Sequence, residues 1–440
     1  MARKSVAIVG GGLAGLAAAV ALGSAEQDVT VYEARPFVGG RATSYPLNAA
    51  DENSPTIDNC QHVLLRCCKN LLDFYDRLGV KDRIRFYREF YWIEPGGRVS
   101  TMRRGVLPAP LHFTGSFLGL HFLSLADKMS VANGLLSVRY EYGKREDLDR
   151  ITMLDWLREK KQTPRTIERF WKQVLVSAVN EELDRMAALH GLQVFHQGFL
   201  AHADSYEMGV PAVPLGRLYS EEAWGQYPQV KILHRSPVQQ IRTEDARVTG
   251  LEVNGQFVSA DAYLLAVPFE RLPALAPAVG VDISAFSHSP ITGIHLWFDK
   301  PVTDLPHATL LDRTMQWMFN KREGKQIQLV VSASRNLTDM AKNDVIELAL
   351  RELGEFFPRA KEAKLERAHI VKEVRATFSA VPGLEEHRPG QTTNIPNLFL
   401  AGDWTRSGWP ATMEGAVRSG YLAAEAILRS FGESWRFLLP

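Results

Sequence analysis

A glycine-rich turn near the start of the chain constrains the fold more than any other feature. Gly10, Gly12 and Gly15 have the spacing G-x-G-x-x-G and follow the β-branched run 5–9, which predicts a buried parallel strand. The apolar run 16–22 after them predicts a helix. Gly10 permits the tight turn, Gly12 lets the backbone approach a pyrophosphate, and Gly15 lets the helix pack closely on the strand. The helix start then offers its amide groups to the phosphates.

A second strand completes a βαβ unit. Residues 28–32 predict that strand, and Glu33 follows it, 23 positions after Gly10. A carboxylate at this place can accept hydrogen bonds from adenosine ribose hydroxyls. Residues 6–23 carry no charged side chain and follow a basic N-terminus, as in a secretory signal. The glycine spacing and Glu33 favour a dinucleotide site over a targeting segment.

The overall composition is that of a soluble globular protein of two or three domains. The chain has 440 residues, and 51 basic residues balance 50 acidic ones, which argues against a nucleic-acid binder. The three cysteines, Cys60, Cys67 and Cys68, make no disulfide framework, so we expect free thiols in a cytoplasmic protein. Their spacing with His62 fits no common zinc site, and we expect no metal.

Two further motifs resemble the superfamily of FAD-dependent amine oxidases and carotenoid desaturases. Residues 33–41 read Glu-x5-Gly-Gly-Arg, and a predicted strand at 397–403 ends in Gly-Asp before a predicted helix at 413–427. The resemblance implies FAD as the cofactor, with Arg41 close to the pyrophosphate and Asp403 on the ribityl chain. It also implies that the amides at the start of the C-terminal helix bind the pyrimidine end of the flavin ring. The implied FAD ligands are Gly10, Gly12, Leu13, Ala14, Gly15, Glu33, Ala34, Gly40, Arg41, Val238, Gly402, Asp403, Met413 and Glu414.

The middle of the chain predicts that the cofactor domain is discontinuous. Residues 230–241, 250–258 and 262–268 read as successive strands, the second with an Asn-Gly hairpin signal. By resemblance they complete the FAD domain, with the backbone of Val238 on the adenine. We predict an α/β plus α+β fold with a Rossmann-like FAD-binding domain and a mixed-sheet and helical substrate-binding domain. The first domain takes residues 1–60, 211–268 and 386–440, and the second takes 61–210 and 269–385.

A second uncharged run, residues 105–126, is long enough to cross a bilayer. Pro108, Pro110 and Gly115 argue against a spanning helix. Two interpretations stay open: a lipid entrance that touches the membrane surface, or ordinary core of the substrate-binding domain. A lipophilic substrate favours the first. We expect a cytoplasmic protein that contacts the inner face of the cell membrane peripherally.

Within the superfamily, the chain resembles the bacterial hydroxysqualene dehydroxylase family of hopanoid biosynthesis, essentially end to end. The likeness rests on residues 58–72, 191–192, 209–211 and 402–417. It implies reductive removal of the hydroxyl group of hydroxysqualene, a C30 isoprenoid, to give squalene, with reduced flavin supplying hydride to an allylic cation. Amine oxidation is disfavoured, because residues 291–297 lack the lysine that amine oxidases usually place near the flavin.

The segment around the cysteines supplies the candidates for chemistry. By resemblance, the turn after Asp58 passes the flavin face, and Cys60 stands where many relatives have glycine. Asp58, Cys60 and His62 are therefore the catalytic candidates, with Cys60 or His62 as the general acid. The alternative is a small buried thiol beside a hydrogen-bonded histidine. Apolar residues at helical spacing over 63–78 predict a helix with Cys67 in the core.

Three classes of function remain open at this stage. The first is the dehydroxylase, and the second is a carotenoid-type or phytoene-type desaturase, which runs the flavin in the opposite direction. The third is a flavoprotein that carries lipid without catalysis. The chain has no second nucleotide fingerprint, so no NAD(P)H site is predicted and the electron donor is not identified.

Overall fold

The computed structural model describes residues 3–48, 50–51 and 54–440. Its strands are β1 Ser5–Val9, β2 Asp28–Tyr32, β3 Ser44–Pro46, β4 Thr56–Asp58, β5 Leu64–Leu65, β6 Ile84–Tyr87, β7 Glu89–Ile93, β8 Val99–Arg103, β9 Met208–Pro211, β10 Val230–Leu233, β11 Val238–Glu244, β12 Arg247–Val253, β13 Gln256–Val258, β14 Ala262–Leu265, β15 His288–Phe298, β16 His307–Leu310, β17 Trp317–Asn320, β18 Gln326–Ser332, β19 Leu365–Phe378 and β20 Leu398–Leu400.

The α-helices alternate with these strands in the first and last parts of the chain and cluster between β8 and β9. They are α1 Leu13–Ser24, α2 Lys69–Arg77, α3 Thr114–Leu118, α4 Leu125–Glu141, α5 Met153–Glu159, α6 Pro164–Thr166, α7 Lys172–Val179, α8 Ala188–Phe195, α9 Leu272–Leu275, α10 Arg335–Thr338, α11 Lys342–Phe356, α12 Arg359–Glu362, α13 Leu384–His387 and α14 Met413–Ser430.

A five-stranded parallel sheet, ordered β10-β2-β1-β14-β20, holds the glycine-rich turn at its centre. Helix α1 is buried along residues 13–23 and packs tightly against α14. A Cβ added at Gly420 would lie 2.2 Å from the carbonyl oxygen of Ala14. Only glycine allows that approach, which packs the first turn of α1 closely against the middle of α14.

A seven-stranded sheet, ordered β19-β15-β18-β17-β16-β7-β8, forms the second body of the protein. Its neighbouring strands are antiparallel except for β16 and β7, which run parallel, so the sheet is mixed. The helices α4 to α8 pack against one face of it around a large apolar core. The predicted α/β plus α+β fold is confirmed.

The strands of the parallel sheet all come from the three stretches assigned to the FAD-binding domain, although the exact domain boundaries stay a prediction. Two predicted elements were wrong in extent. The strand expected over 230–241 is two strands in different sheets, because Arg235 turns the chain with φ of 52° and Pro237 has no amide for a ladder. The helix expected over 63–78 begins only at Lys69, because Leu64 and Leu65 pair with β9.

The second uncharged run, residues 105–126, is neither one helix nor simple core. It begins as an irregular segment, forms a 3₁₀ turn and the short α3, and reaches the start of α4. Its later part is buried, through Leu120, Phe122 and Leu123, whereas Val106, Leu107, Leu111 and Leu118 are exposed. Within the described residues, no helix is both long enough and apolar enough to cross a membrane.

Candidate functional site

The turn between β1 and α1 leaves a groove that fits a pyrophosphate. Gly10 has φ of 108°, and a Cβ on Gly15 would lie 2.0 Å from the carbonyl oxygen of Gly10, so both positions require glycine. A Cβ on Gly12 would instead point into open space, with Gly40 as its nearest neighbour at 3.9 Å. The groove is therefore bounded by two glycines that the sequence had assigned to FAD.

The start of α1 faces this groove without a competing side chain. Gly12 is the N-cap and makes no side-chain cap, and no acidic residue lies in the first turn. The amides of Leu13 and Ala14 therefore keep the positive end of the helix available to an anion. This is the arrangement that a dinucleotide pyrophosphate requires.

Glu33 braces the same turn from the end of β2. Its buried carboxylate accepts the Gly11 amide at 2.8 Å through one oxygen and the Arg35 amide at 2.8 Å through the other. Ala34 lies between Glu33 and Arg35 and is therefore enclosed by the second of these hydrogen bonds. Because each carboxylate oxygen accepts more than one hydrogen bond, Glu33 retains capacity for ribose hydroxyls, as the sequence predicts.

Arg41 and Asp403, predicted to hold different parts of FAD, lie side by side. One guanidinium nitrogen of Arg41 donates to both carboxylate oxygens of Asp403, at 2.7 and 2.8 Å, and the other donates to the Ala376 carbonyl at 2.7 Å. Burial acts against the charge of Arg41, but Asp403 outweighs it and raises the pKa of Arg41. The pair joins the two ends of the chain at the cofactor site, while the individual roles of both residues stay predictions.

The backbone amides in the first turn of α14 are available for a flavin contact, as the resemblance implies. The hydroxyl of Thr412 caps the helix by accepting the Gly415 amide at 3.0 Å, which leaves the amides of Met413 and Glu414 for another partner. The carboxylate of Glu414 turns away and accepts the Leu71 amide at 2.7 Å. Behind it, Gly402 donates its amide to Ser419 at 2.9 Å and fixes the end of β20.

Arg388 is a residue of this site that sequence reasoning missed. Its fully buried guanidinium donates to the carbonyl oxygens of Asp403 at 2.9 Å and Thr405 at 2.6 Å, and it pairs with Glu385. Burial acts against the charge of Glu385, but His190 and Arg388 lower the pKa of Glu385 to about 2. Arg388 thus holds the segment after β20, and no motif in the sequence marks it.

The catalytic candidates share one turn but lie in different surroundings. Asp58 accepts hydrogen bonds from the Ser44 hydroxyl at 2.9 Å and the Leu215 amide at 3.0 Å. Burial, with smaller effects of Glu373 and Asp58, raises the pKa of Cys60 to about 12, so the thiol stays protonated at neutral pH. Such a thiol is a weak general acid.

His62 is oriented by the backbone of the same turn. Its Nδ1 lies 2.9 Å from the Cys60 carbonyl oxygen, and burial lowers the pKa of the ring. The imidazole is therefore neutral at pH 7, with Nδ1–H as the donor and Nε2 as the free acceptor.

Lys321 brings a cation to this turn from the hairpin between β17 and β18. Its Nζ lies 3.9 Å from an oxygen of Asp58, and burial lowers the pKa of Lys321. The sequence has no lysine in residues 291–297, as noted above, but the neighbouring hairpin supplies one. Nothing in the local sequence around Lys321 signals this position, because Asp58 lies on β4, far away in the sequence and in a different sheet.

An apolar cavity of about 240 Å³ adjoins the start of α14. Its walls come from α7, α8, the face of the seven-stranded sheet and the segment after β4. Glu414 is the one lining residue with a formal charge in the described part of the chain, and its carboxylate is already bonded. Cys67 and Cys68 line this cavity, so the prediction that Cys67 fills the core was wrong. Of the turn 58–62, Gln61 lines it, whereas Asp58, Cys60 and His62 do not.

Comparison with known proteins gives the family. The sequence model of the flavin containing amine oxidoreductases matches residues 13–428. The 15-cis-phytoene desaturase of Synechococcus elongatus is 27% identical over 459 residues, covering 96% of this chain and 95% of its own length. The zeta-carotene desaturase of a Synechocystis species is 26% identical, covering 96% of this chain and 97% of its own length.

Solved structures agree on the fold. A triple mutant of putrescine oxidase superposes with a TM-score of 0.73 at 16% identity, covering 97% of this chain and 99% of that one. A likeness at this level of identity concerns the fold alone. The family match and the open groove beside Gly12 together identify the cofactor as FAD.

Proposed function

This chain belongs to the flavin-containing amine oxidoreductase family as an FAD-dependent oxidoreductase, and from that premise we propose that its substrate is a long isoprenoid. The observation that carries the proposal is the cavity at the start of α14, whose wall offers no unpaired charge in the described residues. A cationic amine or a carboxylate would enter such a cavity without a counter-ion, at a large desolvation cost. A hydrocarbon chain would bury its surface there.

When bound, FAD supplies hydride exchange with an allylic carbon of the substrate. The chain's own residues bind and orient: Gly12 and the start of α1 hold the pyrophosphate, and Arg41 with Asp403 holds the adjoining chain of the cofactor. The apolar wall, with Phe90 and Trp317 among its residues, excludes water from the reacting carbon.

The specific reaction that we propose is the reductive dehydroxylation of hydroxysqualene to squalene. Its support is the likeness of residues 58–72 and 402–417 to the hydroxysqualene dehydroxylases, stated above. Departure of an allylic hydroxyl needs a proton. Cys60 is a weak donor, because its thiol has a pKa of about 12, and His62 can deliver a proton only after its free Nε2 has taken one up, which its lowered pKa disfavours at pH 7.

Desaturation of a carotene-like polyene is the second candidate, and the named relatives favour it over dehydroxylation. Both relatives described above are carotene or phytoene desaturases that match almost the whole chain. The apolar cavity suits this reaction equally, because a carotene is also a long isoprenoid. In this case the substrate loses hydride from an allylic C–H instead of gaining it.

One anaerobic experiment separates the two directions. The chemically reduced holoenzyme is mixed with hydroxysqualene, and the oxidised holoenzyme is mixed with phytoene. Dehydroxylation predicts flavin reoxidation with squalene formation in the first mixture and no change in the second. Flavin reduction by phytoene without reoxidation by the alcohol would instead establish a desaturase. No change in the redox state of the flavin in either mixture would contradict both reactions.

The role of Cys60 has its own test. Cys60→Ser and Cys60→Ala are expected to retain FAD, because the thiol faces Gly293 on β15, where an added Cβ would lie 3.6 Å from the sulfur, rather than the glycine-rich turn. If the thiol takes part in the chemistry, both variants lose turnover at unchanged flavin content. Full turnover in both variants would remove Cys60 from the reaction.

We also propose a peripheral contact with an anionic membrane through the exposed part of residues 105–126. Val106 and Leu107 are exposed there, and so are Leu125 and Met129 in the first turns of α4. Basic side chains of residues 103, 104, 128 and 139 accompany it in the sequence. A lipid substrate would reach the enzyme from such a surface.

A further inference from the structure

Gln61 is the side chain of the turn 58–62 that reaches the cavity. Its amide nitrogen donates to the carbonyl oxygen of His62 at 3.2 Å, which fixes the orientation of the amide group. Its Oε1 is buried and has no hydrogen-bond partner among the residues that the structure describes. Cys60 and His62, on either side of Gln61, are predicted catalytic residues, whereas no sequence pattern marks Gln61.

The surroundings of this oxygen are apolar. Val63 and Leu64 follow it along the chain and line the same cavity, as does Ile291 on the facing strand β15. A hydrocarbon in contact with Gln61 would leave a buried acceptor unpaired, which is costly. A ligand group that donates a hydrogen bond without carrying a charge would satisfy it.

A charged donor does not fit this place. The wall offers an ammonium group no free counter-ion, because the carboxylate of Glu414 is bonded to the backbone of residues 70 and 71. The cavity is otherwise lined by apolar and neutral side chains. The group that fits is a hydroxyl, whose oxygen keeps its own lone pairs for other contacts.

We propose that Gln61 accepts a hydrogen bond from a hydroxyl group of the bound isoprenoid and so distinguishes an isoprenoid alcohol from the corresponding hydrocarbon. The proposal rests on the proposed function for the isoprenoid character of the ligand. It does not depend on the direction of the hydride exchange. Gln61 is thus a specificity-determining residue within the turn that carries Asp58, Cys60 and His62.

The test measures binding without turnover. The oxidised holoenzyme is titrated anaerobically with hydroxysqualene and, separately, with squalene, and the perturbation of the flavin absorption spectrum reports each dissociation constant. We expect the alcohol to bind about tenfold more tightly than the hydrocarbon, as one neutral hydrogen bond allows. In Gln61→Leu that ratio is expected to fall to about one. Gln173→Leu, which also changes a glutamine of the cavity wall, is expected to keep the ratio.

The outcomes separate this proposal from the proposed function. Equal binding of the two ligands by the unmodified enzyme, or an unchanged ratio in Gln61→Leu, would overturn the role of Gln61 even if the enzyme converts hydroxysqualene. A loss of the ratio in Gln173→Leu as well would also overturn it, since polarity of the wall rather than Gln61 would be responsible. If the ratio depends on Gln61 but the enzyme does not convert the alcohol, the result would contradict the proposed dehydroxylation and support Gln61 as a hydroxyl-binding residue. If neither ligand perturbs the flavin spectrum and neither competes with a bound polyene, both proposals fail together. Retained FAD absorbance is the control that shows the protein is folded.

Discussion

The two runs of this chain that lack Asp, Glu, Lys and Arg, residues 6–23 and 105–126, fold in different ways. The first forms β1, the glycine-rich turn and α1, and its helix is buried from Leu13 to Gly23. The second divides into an exposed apolar part and a buried part with no long element. The comparison shows that the placement of glycines and prolines, rather than the absence of charge, decides what an apolar run becomes.

The largest effect is expected from adding a methyl group to one glycine in each run. In the first run, Gly15→Ala places a Cβ 2.0 Å from the Gly10 carbonyl oxygen and should destabilise the protein by about 3 kcal/mol. In the second run, Gly115→Ala meets no atom within 4 Å and should change stability by less than about 1 kcal/mol. Denaturant unfolding of both variants measures the difference. Equal effects would show that the turn is less tightly packed than described.

A smaller effect, on the cofactor rather than on folding, is expected at Gly12. Gly12→Ala has room for its Cβ in the protein alone, with the nearest atom at 3.9 Å, but the methyl group enters the groove proposed for the pyrophosphate. We expect FAD affinity to fall by about tenfold or more, roughly 1.4 kcal/mol, with the stability of the FAD-free protein almost unchanged. Flavin fluorescence during titration measures the affinity, and unchanged affinity would place the pyrophosphate elsewhere.

The exposed part of the second run should matter for membranes and not for folding. Leu111→Ser combined with Leu118→Ser replaces two side chains that are 59% and 56% exposed. Stability should change by less than about 0.5 kcal/mol at each site, and binding to vesicles with anionic phospholipid should fall about tenfold. Leu233→Ser, at the edge of the parallel sheet and 42% exposed, is the matched control and should leave vesicle binding intact. A drop of the same size in the control would contradict a local membrane surface.

The smallest effect concerns pH. The first run has no titratable side chain, whereas the second contains His112, which is 1% exposed and whose pKa is lowered, chiefly by burial. The neutral ring is the folded form, so the stability it contributes is present above about pH 6.5 and is lost as the pH falls below that value. The free energy of unfolding of the unmodified protein falls between pH 7.5 and 5.5, and we expect this fall to be smaller in His112→Phe, by at most about 1 kcal/mol. An identical loss in the variant, measured by urea unfolding, would show that His112 does not titrate there.

Local pattern was enough to predict the cofactor half of the protein. The strand, turn, helix and second strand of residues 5–32 follow from β-branched runs and from the spacing of the glycines, of which Gly15 packs on its near neighbour Gly10. The same holds for the Asn-Gly hairpin between β12 and β13 and for the helix from Met413. Strand ends were less predictable: Arg235 and Pro237 divide the segment 230–241, which the sequence predicts as one strand.

The site for the substrate could not be predicted in the same way. Lys321 and Arg388 contact residues far away in the sequence, and neither belongs to a motif. Gln61 lies within residues 58–72, but no pattern in that segment indicates which of its side chains reaches the cavity. The candidates chosen by position, Cys60 and His62, lie beside the cavity rather than on its wall. A side chain one position along the turn faces the cavity instead, and only the path of the backbone decides which one it is.

By itself the sequence determined that this protein binds a dinucleotide on a βαβ unit, because glycine spacing and a terminal acid are contacts between near neighbours. The tertiary structure alone decided the pairing of Arg41 with Asp403, the cavity and the polar atom within it. Arg41 and Asp403 are 362 positions apart, and the cavity wall is drawn from residues between 61 and 414, so no local pattern encodes either. The uncharged runs illustrate both cases: the spacing of its own glycines marks the first, whereas only the tertiary packing shows which part of the second is buried.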